Sequence, residues 1–157
     1  MRSYTDMKIL MVCLGNICRS PIAEGVLRHK IAQHGLDWEV ASAGTYSYHI
    51  GAPPHKHSQK VCKLNGVDIS SQRARKFTAA DFERYDKIYA MAGDVYEEIL
   101  QIAGSKVIKS KLDFFLNELE SGCDGSVPDP WYGEEEGYAP VYELIEKACE
   151  AIIKKYK

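Results

Sequence analysis

The spacing of apolar residues switches between two periods along this chain, and each switch predicts an element boundary. Residues 8–13, KILMVC, form a nearly unbroken apolar run, the pattern of a parallel strand covered on both faces. Beyond a polar loop, Ile22, Val26, Leu27 and Ile31 recur at helical spacing, with Ser20 suited to the N-cap, Pro21 to the first helical position and Gly35 to the stop. The cycle then repeats. Residues 38–44, WEVASAG, read as a strand, Ser58 to Asn65 as a helix ended by Gly66, residues 86–91, DKIYAM, as a buried strand, and residues 94–104, DVYEEILQIAG, as a helix with its own terminal glycine. Residues 105–110, SKVIKS, are expected to form a last short strand, and Val141, Leu144, Ile145, Ala148 and Ile152 mark the inner face of a final amphipathic helix. This alternation predicts an α/β fold: a single domain over residues 8–157, a four-stranded parallel sheet with helices on both faces, and a functional loop between first strand and first helix. Residues 1–7 are expected to be a disordered N-terminal extension.

Composition narrows the class. A chain of 157 residues, 45% hydrophobic and 27% charged, suits one ordinary globular core. The net charge is −2 and no basic stripe with interleaved aromatics occurs, which speaks against a nucleic-acid partner. With no apolar run of about eighteen residues and no secretory leader, the expectation is a cytoplasmic protein without a membrane partner. Cys13, Cys18, Cys62, Cys123 and Cys149 contain no C-x-x-C pair, so neither a disulfide framework nor a zinc site is expected.

Candidate chemistry concentrates in residues 12–20, VCLGNICRS, beyond the carboxyl end of the first strand, where open parallel sheets bind ligands. A loop running from a strand into a helix N-terminus turns successive N–H groups inward and adds the helix dipole, which together make an anion site. Gly15 and Asn16 suit the bends, and the backbone of Leu14 to Arg19 would line the site. Arg19 adds a planar fork able to hold two phosphate oxygens. Cys13 would lie beneath the centre of the anion, where an attacking thiolate belongs, and the same amides and cation favour that thiolate. Taken alone, Cys13 reads better as a buried strand-end residue, the commonest role of a cysteine in a cytosolic protein. Its company of Gly15, Asn16, Arg19, Ser20 and Pro21 favours the chemical reading, and no other phosphate motif competes.

Cys13-Leu14-Gly15-Asn16-Ile17-Cys18-Arg19-Ser20-Pro21 resembles the C-x5-R-S phosphate loop of the low-molecular-weight protein tyrosine phosphatases, and Asp129-Pro130-Trp131-Tyr132 resembles their C-terminal acid motif. Residues 42–45, SAGT, and 84–91, RYDKIYAM, extend the likeness. The resemblance implies hydrolysis of phosphotyrosine monoesters and aryl phosphates through a phosphocysteine, with Cys13 as nucleophile, Arg19 as phosphate clamp and Asp129 as general acid. It further implies Ser20, Asn16, Ser42 and position 72 as supports, and a substrate rim of Ile17, Tyr48, Trp131 and Tyr132. Cys18 resembles the second loop cysteine that traps an oxidised nucleophile as a disulfide. No cofactor or metal is implied; the expected partners are a phosphotyrosine protein or peptide and product phosphate, with the chain acting as a monomer.

Two departures stand out: Gln72 occupies a position where the family often has His, and Ala92 follows Met91 where the family commonly has Asp. Bacterial relatives that dephosphorylate arginine carry Thr where this chain has Ile17. His55 and His57 are expected to be solvated residues at a helix start. Two rival readings are a thioredoxin-coupled arsenate reductase, which needs closely spaced downstream cysteines, and a non-catalytic phosphate-binding module, which needs neither Asp129 nor a reactive thiol.

Overall fold

The computed structural model describes residues 6–130 and 133–157. β1 (Lys8–Cys13) lies between β2 (Glu39–Gly44) and β3 (Lys87–Ala90), and β4 (Leu112–Phe114) completes an all-parallel sheet of order β2-β1-β3-β4. That interior position explains the apolar run. Side chains alternate across the sheet, so Ile9, Met11 and Cys13 enter one core together with α1 (Arg19–Gln33), α2 (Lys56–Leu64) and α5 (Tyr138–Tyr156). Leu10 and Val12 enter a second core beneath α3 (Asp81–Arg84) and α4 (Gly93–Ala103). Each such Leu, Ile or Val contributes about 1.5–3 kcal/mol by leaving water. Val141, Ile145, Ala148 and Ile152 are buried as their spacing predicts, and Leu144 packs on their edge.

The fourth strand falls later than expected. Gly104, at φ +54°, ends α4, and the chain then passes through 3₁₀ turns at Gly104–Lys106 and Lys109–Lys111. Ile108 is 39% exposed, so the apolar pair at 107–108 belongs to a turn. Leu112 is the residue that pairs with Ile88 and starts β4. The first helix begins two residues earlier than its N-cap signal suggests: Arg19 is already helical and Ser20 lies inside the first turn, its hydroxyl taken by other work. Met7, placed in the extension by sequence, is buried in the first core, and its carbonyl accepts from the Glu39 N–H.

The strand order positions the site. β1 feeds α1 on one face and β3 feeds α4 on the other, so their loops part at the carboxyl ends of two adjacent strands and leave a crevice.

Candidate active site

Cys13 is the last residue of β1, and its sulfur lies 3.0 Å from the Ser20 Oγ. Between them the chain turns through Asn16, whose φ of +59° is a left-handed conformation that Asn tolerates better than most side chains. The Asn16 amide holds that turn from inside. Its Nδ2 donates to Ser20 Oγ at 2.8 Å and Ser42 Oγ at 2.9 Å, and its Oδ1 accepts from the Arg75 N–H at 3.0 Å. The Ser42 hydroxyl donates to the buried Glu24 carboxylate at 2.7 Å, which also accepts from Arg28 at 2.6 Å. A continuous chain of polar contacts thus runs from the thiol to the protein surface, and the loop's buried polar groups are satisfied rather than stranded.

Gly44 lets the loop sit this close to β2. A Cβ there would fall 2.7 Å from the Leu14 carbonyl oxygen and 3.0 Å from the Asn16 nitrogen, both backbone atoms. Gly44→Ala is therefore expected to destabilise the protein by about 1–3 kcal/mol and to weaken phosphate binding by the loop. Thermal denaturation and a phosphate titration check this, and unchanged values in both would show that the loop can shift without cost.

Arg19 and Asp129 meet in the same crevice. The Arg19 Nη2 lies 3.5 Å from Asp129 Oδ2, while Nη1 donates to the Val127 carbonyl at 3.1 Å. The segment carrying Asp129 is pinned beside β3: the Val127 N–H donates to the Met91 carbonyl at 2.7 Å, and the Gly93 N–H donates to Ser126 Oγ at 3.0 Å. The second bond accounts for Ala92. That residue is the N-cap of α4 and offers no side-chain cap, and Ser126 supplies the missing acceptor from the acid-bearing segment.

A cleft of about 240 Å³ opens above Cys13 and Arg19, with Ile17, Tyr48 and Asp129 among the residues that line it. Tyr46 and His49 also line it. Tyr48 is 85% exposed and meets Tyr46 edge-on, with centroids 5.8 Å apart. Trp131 and Tyr132, the other expected rim residues, lie outside the described residues.

Three expectations change. Gln72 donates to the Pro21 carbonyl at 3.1 Å, bracing the first turn of α1 where a support of the loop was expected. Ser20 is a loop hydroxyl and no helix cap. His55 stands at a helix start as read, but it is half-buried and not fully solvated: its Nδ1 caps α2 by accepting from the His57 N–H at 3.1 Å, and its ring stacks on Tyr138 at 5.6 Å. Glu24, Arg75 and Ser126 escaped sequence reasoning because their contacts come from elements far apart in the chain. Glu24 reads as an outer-face helical residue, and Ser126 as part of a turn-rich loop. Cys18 is buried beside the Tyr138 hydroxyl, and burial pushes its thiol up to about 12, so it stays protonated at neutral pH.

Residues 8–157 match the family model of low molecular weight phosphotyrosine protein phosphatase. The human low molecular weight phosphotyrosine protein phosphatase is 33% identical over 158 residues, covering 99% of each chain. The crystal structure of a protein tyrosine phosphatase from Entamoeba histolytica is 39% identical, with a TM-score of 0.86 over 95% of this chain and 96% of its own. A Drosophila arginine phosphatase, 32% identical, reaches a TM-score of 0.87 over 96% and 98%.

Proposed function

Because the chain belongs to the low molecular weight phosphotyrosine protein phosphatases, hydrolases of phosphoproteins, we propose that Cys13 is its nucleophile, Arg19 its phosphate clamp and Asp129 its general acid. The observation that carries this assignment is the convergence of the Cys13 sulfur, the Arg19 guanidinium and the Asp129 carboxylate on one cleft, with the Ser20 hydroxyl 3.0 Å from the sulfur.

In the first step the Cys13 thiolate attacks phosphorus. The S–P bond forms, the P–O ester bond breaks with its electron pair passing to the phenolate, and Asp129 supplies the proton that the leaving oxygen takes. Arg19 and the backbone amides of residues 14–19 hold the charge spread over the equatorial oxygens. In the second step water attacks the phosphocysteine and gives a proton back to Asp129. The S–P bond breaks, the thiolate returns, and Ser20 donates to it as it leaves. Asn16 and Ser42 keep Ser20 in place for that donation. With peroxide as the two-electron oxidant, Cys18 is the proposed partner of Cys13 in a disulfide that added thiol reduces again.

The proposed substrate is phosphotyrosine. Ile17 presents a branched apolar wall, and with the Tyr48 side of the cleft it favours a flat ring over a polar guanidinium. The likeness to the Drosophila arginine phosphatase supplies a second reading, phosphoarginine. One apolar side chain discriminates by about ten- to two-hundredfold. The expected order of kcat/KM is phosphotyrosine, phosphoarginine, phosphoserine, with Ile17→Thr narrowing the first gap. Metal-free assays of p-nitrophenyl phosphate and the three phosphoamino acids test this. Equal or better turnover of phosphoarginine by the unmodified chain would reverse the substrate assignment, and no turnover of any would remove the catalytic one.

A further inference from the structure

We infer that Tyr138 and His55 are positioning residues of the phosphate loop, which hold Ile17 and Cys18 so that the amides following them face the anion. The inference rests on reading residues 13–19 as a phosphate site. Neither residue lines the cleft, and they come from the start of α5 and the cap of α2, far from the loop in sequence.

The loop's carbonyls are tied outward at this corner. The His55 N–H donates to the Ile17 carbonyl at 2.8 Å, and the Ser58 hydroxyl donates to the Cys18 carbonyl at 3.3 Å. No cis peptide occurs among the described residues, so each N–H points opposite to the carbonyl of its own peptide plane. Holding the Ile17 and Cys18 carbonyls toward α2 therefore turns the N–H groups of Cys18 and Arg19 away from α2.

The Tyr138 hydroxyl adds a further tie between α2 and the loop. It lies 3.7 Å from Cys18 Sγ and 3.3 Å from His55 Nδ1, and the two rings stack with an interplanar angle of 16°. Because the His57 N–H already donates to Nδ1 at 3.1 Å, this nitrogen carries no proton. The Tyr138 hydroxyl therefore donates to His55 Nδ1 in a three-centre bond that shares its lone pair with the His57 N–H, and is left to accept from the Cys18 thiol. Tyr138 is 1% exposed and Cys18 5%, so water offers neither a ready substitute partner. One hydroxyl thus joins the loop, the cap of α2 and the first turn of α5.

The test measures inorganic phosphate as a competitive inhibitor of p-nitrophenyl phosphate hydrolysis by the unmodified chain, Tyr138→Phe, His55→Asn and the double variant. Tyr138→Phe keeps the ring stack and removes only the hydroxyl. His55→Asn keeps a capping acceptor and removes the ring. Each is expected to raise the phosphate inhibition constant by about three- to tenfold, the effect of one hydrogen bond, and to lower kcat/KM by a similar factor, because the same amides hold the charge of the transition state. The double variant is expected to bind phosphate no worse than the weaker single one, since both break the same link. Unchanged inhibition constants in both single variants, or effects that multiply in the double, would overturn the inference. So would a lowered melting temperature with unaltered phosphate affinity, which would mark the pair as merely structural. Should Tyr138→Phe fail to fold, His55→Asn decides by the same criterion. An unmodified chain that phosphate does not inhibit would remove the reading of the loop itself, and the inference with it.

Discussion

Cys13→Ser is expected to lower kcat by at least roughly 10⁴-fold while inorganic phosphate still binds. The reasons are separable. Serine's hydroxyl is far harder to ionise than a thiol, so the attacking species all but vanishes at neutral pH. The groups proposed to hold the anion are untouched by the change: the loop backbone, Asn16 with its bonds to Ser20 and Ser42, and Arg19 beside Asp129. The substitution is also small, and the nearest polar neighbour, Ser20 Oγ at 3.0 Å from the sulfur, can bond the new hydroxyl. Calorimetric titration with phosphate, run beside a hydrolysis assay, checks both halves. Turnover within a hundredfold of the unmodified chain would show that another group attacks phosphorus. Loss of phosphate binding together with activity would instead show that Cys13 supports the loop.

Asp129→Asn is expected to lower kcat by about 10²- to 10⁴-fold with KM little raised, because a general acid acts on the leaving group in the transition state. The size of the loss should depend on the substrate. A phenol acidic enough to depart unprotonated needs no acid, so the defect should shrink steadily across a series of aryl phosphates as the leaving group becomes more acidic. This dependence separates chemistry from support. Asp129 also lies 3.5 Å from Arg19, and its side chain is only 27% exposed, so removing its charge disturbs the guanidinium as well. Arg19 keeps its bond to the Val127 carbonyl, which limits that disturbance. A loss of equal size for every leaving group would show that Asp129 serves to orient Arg19.

The supports of the two groups differ in kind. Cys13 is placed by local sequence: a buried strand runs out at residue 13 and a helix starts at residue 19, leaving a short loop with Asn16 at its bend. Asp129 is placed by distant contacts, through Val127 to Met91 and through Ser126 to Gly93. A second distant brace reaches the loop through Arg75. Its N–H holds Asn16, and its guanidinium is fixed by two bonds to the fully buried Asp81 at 3.0 and 3.1 Å.

Sequence alone determined the parallel sheet, the helices on its two faces and the loop that opens with Cys13, because these follow from periodicity and from the stop and start signals of single segments. Ile9, Met11 and Cys13 alternate with Leu10 and Val12, and a strand covered on both faces must read as an unbroken apolar run. Tertiary structure decided what each polar residue does. Ser20 fits a helix cap by its local context, but it bonds the Cys13 sulfur and Asn16 because the loop folds back over the helix start. Residues 105–110 have strand propensity, yet only Leu112 and its neighbours reach the partner Ile88 beside which a strand can be completed. His55 resembles a surface residue until α5 lays Tyr138 on its ring. Apolar burial is non-directional and leaves its mark on every turn of the chain, whereas a hydrogen bond depends on where two distant atoms come to rest within about 3 Å, which no single segment encodes.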